Sequence, residues 1–171
     1  DGAYVPERLL RAGDFADGLG QTNNPDWKTV AIDEGSGEVV VPSGAIGFRW
    51  GEEGKWNLEE KDASGREVKL RLGLGGAHDG VVEVLFPYFA NTASNGFAST
   101  DHPDTLMRRI PIKKLLLQDG EAVVASVYDL FLANYGVDQG FGGHHLPQNY
   151  NALEPYSPAW AEAVTTVPRA Q

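Results

Sequence analysis

Short apolar runs separated by polar punctuation dominate the chain. The runs at 28–32, 38–41, 46–50, 68–72 and 81–85 are rich in Val, Ile or aromatic residues and bounded by Gly, Asp or Ser, which predicts strands. Residues 51–54 (Gly-Glu-Glu-Gly), between Trp50 and Trp56, read as a hairpin connection because two glycines can supply positive φ. The runs 110–117 and 121–126 flank Asp119-Gly120, a pair suited to a type I′ turn, and predict the clearest hairpin in the chain.

Two segments carry helix signals instead. Ser126 can cap a helix filled by Leu130, Phe131 and Ala133, with Gly136 where the residue after the C-cap belongs. Ser157 can cap a second, with Pro158 at its first position and an acidic first turn. Residues 4–20 hold Tyr4, Leu9, Leu10, Phe15 and Leu19 in a mixed pattern that predicts a strand or irregular segment and then a short helical turn. Residues 22–26 form a turn cluster, and the polar stretches 90–108 and 136–151 predict long loops. Thr166 could cap a further helix with Pro168 in its first turn, so the expectation is a piece of something longer. Strands first and helices late give an α+β fold of short antiparallel strands, hairpins, a few short helices and long loops. It is expected to be one segment, strand-rich over 28–126 and helix-containing over 127–171.

Composition sharpens this. Glycine (21) and proline (10) are in excess, which favours turns over a helical bundle. The net charge of −10 argues against nucleic acid as a partner and disfavours an isolated anion-binding protein without a local basic pocket. Cysteine is absent, which removes disulfides, thiolate nucleophiles, Cys-ligated zinc and iron–sulfur clusters from this chain. No window of apolar residues is long enough to span a membrane, and no signal peptide is read; the absence of an N-x-[ST] sequon favours an intracellular setting.

Candidate chemistry is thin. His144 and His145 are adjacent and would point opposite ways on extended chain, and His102 and Asp104 lie in another loop with His78 elsewhere, so solvated loop histidines are the simpler reading. Gly73-Leu74-Gly75-Gly76 and Gly140-Phe141-Gly142-Gly143 resemble phosphate loops, but neither precedes Lys-Ser/Thr, and His78 stands where the third glycine of G-x-G-x-x-G belongs. Turns needing flexible φ explain both. Arg108, Arg109, Lys113 and Lys114 form the one basic cluster, with Arg109 and Lys113 on one face of a strand and Lys114 on the other, as on a solvated edge strand guarded by lysine. Glu52, Glu53, Glu59 and Glu60 read as a solvated hairpin surface. Trp27, Trp50, Trp56 and Trp160 read as separate core or interface aromatics rather than one ligand box. No G-x-S-x-G elbow accompanies the serines. Spacing alone yields no catalytic constellation.

Longer strings point further. NNPDWKTVA (23–31), PSGAIGFRWGEEGKWNLE (42–59), VLFPYF (84–89), VYDLFLANYG (127–136) and YSPAWAE (156–162) together resemble the alpha subunit of respiratory, membrane-bound nitrate reductases, in the molybdopterin oxidoreductase family. The resemblance spans nearly the whole chain and is strongest over 17–62 and 127–136. It implies a segment of a large multidomain enzyme that reduces nitrate to nitrite at a molybdenum bis(guanine dinucleotide) centre. Electrons would arrive from quinol through a haem-bearing membrane subunit and an iron–sulfur beta subunit, at the cytoplasmic face of the membrane. It also implies a 4Fe-4S cluster in the alpha subunit, held by His and Cys near that subunit's N-terminus, and a molybdenum-ligating Asp upstream. None of those motifs matches a position here. No residue is therefore assigned a catalytic or metal-binding role, and cofactor-binding residues stay unassigned. The segment itself is expected to be structural, inert alone and prone to self-association. A free-standing β-rich binding or interaction module is the competing reading.

Overall fold

The computed structural model describes residues 3–42, 46–47, 57–58, 61–62, 64–87 and 105–170. Eight strands and two α-helices are defined among them, besides four short 3-10 turns. The strands and α-helices are β1 (Ala31–Asp33), β2 (Val39–Val40), β3 (Ile46–Gly47), β4 (Asn57–Leu58), β5 (Leu70–Arg71), β6 (Gly80–Pro87), β7 (Thr105–Leu117), β8 (Gly120–Val124), α1 (Val127–Asn134) and α2 (Pro158–Thr165). The fold is α+β, with three-stranded sheets ordered β2-β1-β5 and β6-β7-β8 and a two-stranded pair β3-β4. The chain divides into two compact units. One holds Asp1–Glu7, Leu72–Lys114 and Val123–Gln171; the other holds Arg8–Arg71 and Leu115–Ala122.

In the first unit, β6 runs antiparallel to β7 with Val82 opposite Ile110, Val84 opposite Arg108 and Phe86 opposite Leu106. Period-2 geometry places all six on one face. Val84, Phe86, Ile110 and Ile112 are buried there with Ala133 of α1, and Val82, Ala125 and Leu130 pack against them. The far edge of β6 is covered by the N-terminal segment: Tyr4 N donates to Glu83 O at 2.8 Å, and Leu85 N donates to Tyr4 O at 3.0 Å. A second small cluster joins Leu106 to Tyr156 and Trp160.

The other unit is built on short pairings. Ile32 of β1 lies opposite Val39 of β2 on one side and Arg71 of β5 on the other. Its turns are held by carboxylates. Asp33 accepts from Lys69 N at 2.9 Å and from Ser36 N and Oγ at 3.0 and 2.7 Å. These bonds, the Lys69 amide foremost, lower its pKa to about 2. Asp62 accepts from Ser64 Oγ at 2.6 Å and from Arg66 Nε at 3.0 Å, and is lowered likewise to about 2. Among the described residues, Ala12, Phe15, Val40, Val41 and Val68 are the buried apolar residues of this unit.

Several expectations need correction. The hairpin forms, but its turn residues are Gln118 and Asp119, and Gly120 opens β8 at φ 132°. Asp119 does not adopt positive φ, so the turn is not type I′. The strand expected at 28–32 is set at Ala31–Asp33, and Thr105–Arg108, read as loop, begins β7. Residues 16–20 do form a helical turn, but Asp17, Gly18 and Leu19 are left-handed in it. The first turn of α2 contains no acid. Thr166 does not start a helix: it ends α2 in the left-handed conformation at φ 62°. Ser126 and Ser157 cap as expected, accepting from Asp129 N and Trp160 N, and Gly136 follows α1 at φ 73°. The 51–54 hairpin, Trp50, Trp56, His102, Asp104 and the glutamates at 52, 53, 59 and 60 lie outside the described residues.

Candidate functional site

Polar groups converge at both ends of α1. At its start, Asp129 is 1% exposed. Its Oδ2 accepts from Leu74 N and from Ser126 Oγ, both at 2.8 Å. A carboxylate in the first turn is favoured by the partial positive charge of the helix N-terminus. The loop 73–76 comes this close only because residue 73 is glycine. A Cβ there would stand 2.8 Å from Asp129 Oδ1 and 3.2 Å from Tyr128 Cδ1. Leu74 N, one of the amides of this phosphate-loop lookalike, is thus already committed to a carboxylate.

At the other end, Arg108 reaches from β7 beneath the last turn of α1 and is also 1% exposed. Nη1 donates to Ala133 O and, at 2.9 Å, to Asn134 O; Nε donates to His144 O at 3.1 Å and Nη2 to His145 O at 2.9 Å. Its guanidinium lies over the Tyr156 ring, 5.5 Å from the centroid. Four backbone carbonyls replace the carboxylate such a group usually takes, and burial lowers its pKa to about 10. A cation at the C-terminal carbonyls also complements the helix dipole.

The second glycine loop is part of the same construction. Gly143 pairs antiparallel with Arg108, and His144 N donates to Met107 O at 2.9 Å. A Cβ at Gly143 would fall 2.9 Å from Arg108 Cα. Loop 140–143 is therefore an added edge on β7 and not an open amide cradle.

The basic cluster splits accordingly. Arg109 and Lys114 are exposed, Lys113 is half-buried and Arg108 is buried. The guarded-edge reading fails because β7 is the central strand of its sheet. The burial of Arg108 had a signal in the sequence: Leu106, Arg108, Ile110 and Ile112 share the parity of the core face.

The histidines remain apart in role. His78 Nδ1 lies 2.5 Å from Gly75 O and its ring packs edge-on to Phe141. His144 is exposed, and half-buried His145 has a lowered pKa from burial first and then from the charge of Arg108. Among the described residues no three His, Cys, Asp or Glu side chains come together as a ligand set. Trp160 packs with Tyr156 at 5.5 Å between ring centroids. Trp27 is 83% exposed, so of the two readings, core or interface aromatic, it is not a core one.

The contacts of Asp129 and Arg108 tie both ends of α1 to neighbouring segments. The alpha chain of respiratory nitrate reductase 2 of Escherichia coli (strain K12) is 53% identical over 170 residues, covering 99% of this chain and 14% of the relative. This chain matches one stretch of respiratory nitrate reductase alpha chains. The alpha chain of respiratory nitrate reductase 1 of the same strain is 48% identical over all of this chain and 14% of its own length. The nitrate reductase alpha chain of Bacillus subtilis (strain 168) is 35% identical over 98% of this chain and 13% of its own. The chain therefore spans about one seventh of the curated nitrate reductase relatives it matches. No family model matches.

Proposed function

We propose that these 171 residues are a structural segment of the catalytic alpha chain of a respiratory nitrate reductase. That enzyme reduces nitrate to nitrite at a molybdenum bis(guanine dinucleotide) centre, with electrons passed from quinol through an iron–sulfur subunit. The observation that carries the reading is 53% identity over 99% of the chain with a protein of that name. The described residues do not fit the metal groups of such an enzyme. The chain has no cysteine, no described trio of ligand side chains converges, and amides or backbone of both glycine loops are engaged by Asp129 and Arg108. No chemical step is accordingly derived through molybdenum or a cluster here.

What these residues do is hold α1. Its N-terminal turn is tied to loop 73–76 through Asp129, and its C-terminal carbonyls are tied to β7 and loop 143–145 through Arg108. A helix fixed at both ends by buried charges is a rigid support for neighbouring parts of an enzyme. The partners in this reading are the rest of the alpha chain, an iron–sulfur beta subunit and a haem-bearing membrane subunit. The complex would lie at the cytoplasmic face of the membrane. No helix among the described residues is long and apolar enough to cross a membrane.

The test compares two preparations with an artificial electron donor. The complete alpha chain containing these residues is expected to reduce nitrate and to contain molybdenum. The 171 residues alone are expected to show neither turnover above a protein-free blank nor stoichiometric molybdenum by elemental analysis. Metal or turnover in the short chain would overturn the structural role. An inactive complete chain would overturn the assignment to nitrate reduction.

A further inference from the structure

Helix α1 is apolar on two opposite faces. Leu130 and Ala133 point into the cluster of Val84, Phe86, Ile110 and Ile112. Val127, Tyr128 and Phe131, with Tyr135 just past the helix end, lie on the other side at 61, 45, 57 and 53% exposure. The spacing 127, 131, 135 follows the i, i+4 rule, and the rings of Phe131 and Tyr135 touch at 4.8 Å between centroids. No charge interrupts this stripe, because Asp129 is turned inward. An apolar helix face is ordinarily packed against a neighbour, and α1 carries two such faces. The Arg108 and Asp129 anchors also prevent it from rolling the stripe inward.

We propose that this stripe is a docking face covered by another part of the same alpha chain, outside these 171 residues. This inference rests on the reading of the chain as an alpha-chain segment. It names the occupant by length and charge. Roughly six sevenths of each relative lies outside the matched stretch, so the same polypeptide has ample surface with which to cover α1. The net charge of −10 disfavours the alternative of an anionic bilayer, which attracts basic, not acidic, surfaces. The covering surface is apolar at its centre, with acceptors at its rim for the hydroxyls of Tyr128 and Tyr135.

The experiment replaces Phe131 in the complete enzyme with the photo-reactive benzoylphenylalanine, irradiates it, and maps the crosslinked peptide by mass spectrometry. Tyr135 is replaced in the same way in a second variant, since its position beyond the helix end keeps the test open if the Phe131 variant does not fold. The expected result is a crosslink to the same alpha chain outside residues 1–171, with no gain of mass for the intact polypeptide on a denaturing gel. A crosslink to another subunit, to a second alpha chain, to lipid or within the 171 residues overturns the proposal, and so does irradiation that yields no crosslink in either variant. Nitrate reduction by the unsubstituted enzyme is measured alongside. Its loss would count against the nitrate reductase reading, whereas the crosslink reports what covers α1 whether or not the enzyme turns over.

Discussion

At the residue scale, a buried cation without a carboxylate partner needs other acceptors, and backbone carbonyls are the commonest supply. Arg108 uses the carbonyls of Ala133, Asn134, His144 and His145. Arg108→Met keeps much of the stem's packing but leaves those acceptors unpaired, at an expected loss of about 3 kcal/mol or more. The expected readout is faster hydrogen exchange at the amides of 135–137 and 144–145, with Arg108→Lys intermediate. Removing the charge should also raise the pKa of His145, measured by NMR titration, though burial, the larger cause, keeps it below the ordinary value. Asp33 gives a prediction in pH. Its folded pKa, about 2, lies below the ordinary 3.8, so the ionised form is favoured by folding. The stability it contributes is present above about pH 4 and is lost as pH falls toward 2. Asp33→Asn should remove that part of the acid dependence while leaving the Lys69 and Ser36 donors poorly matched. Acid denaturation of the two forms, compared side by side, checks it; an unchanged acid limb in the variant would contradict it.

At the element scale, α1 is set by its ends more than by its own length. Eight residues make a marginal helix in water, and its order comes from the cap, the two buried charges and the sheet beneath. Ser126→Ala removes the bond from Asp129 N and the contact with Asp129 Oδ2, and should cost about 1–2 kcal/mol. Loop 73–76 allows a cleaner contrast. Gly73→Ala drives a methyl against Asp129 and Tyr128 and should cost about 1–3 kcal/mol. Gly76→Ala meets nothing within 4 Å and should be close to neutral. Denaturation midpoints of the two alanine variants should therefore separate; equal midpoints would mean that the close approach at Gly73 does not matter.

At the scale of the whole molecule, the stripe on α1 has a consequence for the short chain. With Phe131 and Tyr135 uncovered, the isolated 171 residues should associate as concentration rises, and Phe131→Glu should reduce the association. Light scattering across a concentration series reads this directly. A concentration-independent monomer would show that the stripe is tolerated in water. The same exposure explains why Phe131, expected to fill the helix, does not face the sheet: Leu130 and Ala133 already occupy that side.

Much of the local structure was legible in the residues themselves. Ser126, Ser157, Pro158 and Gly136 act where capping chemistry places them, because caps depend on a few bonds within one turn. The hairpin of β7 and β8 was equally readable from two β-type runs around a glycine, as was the kinship carried by the longer strings. Tertiary structure alone decided that β7 is central and not an edge, since strand order depends on which distant segments add to it. It also decided that Gly73 and Gly143 are glycine because Asp129 and Arg108 come within about 3 Å of where a Cβ would stand. Arg108 lies between these cases. In sequence it groups with the solvated basic cluster, although its parity with Leu106, Ile110 and Ile112 carries the signal of the core face; a buried cation is tolerable only where acceptors are waiting, and those acceptors come from 133–134 and 144–145, brought to it by the fold.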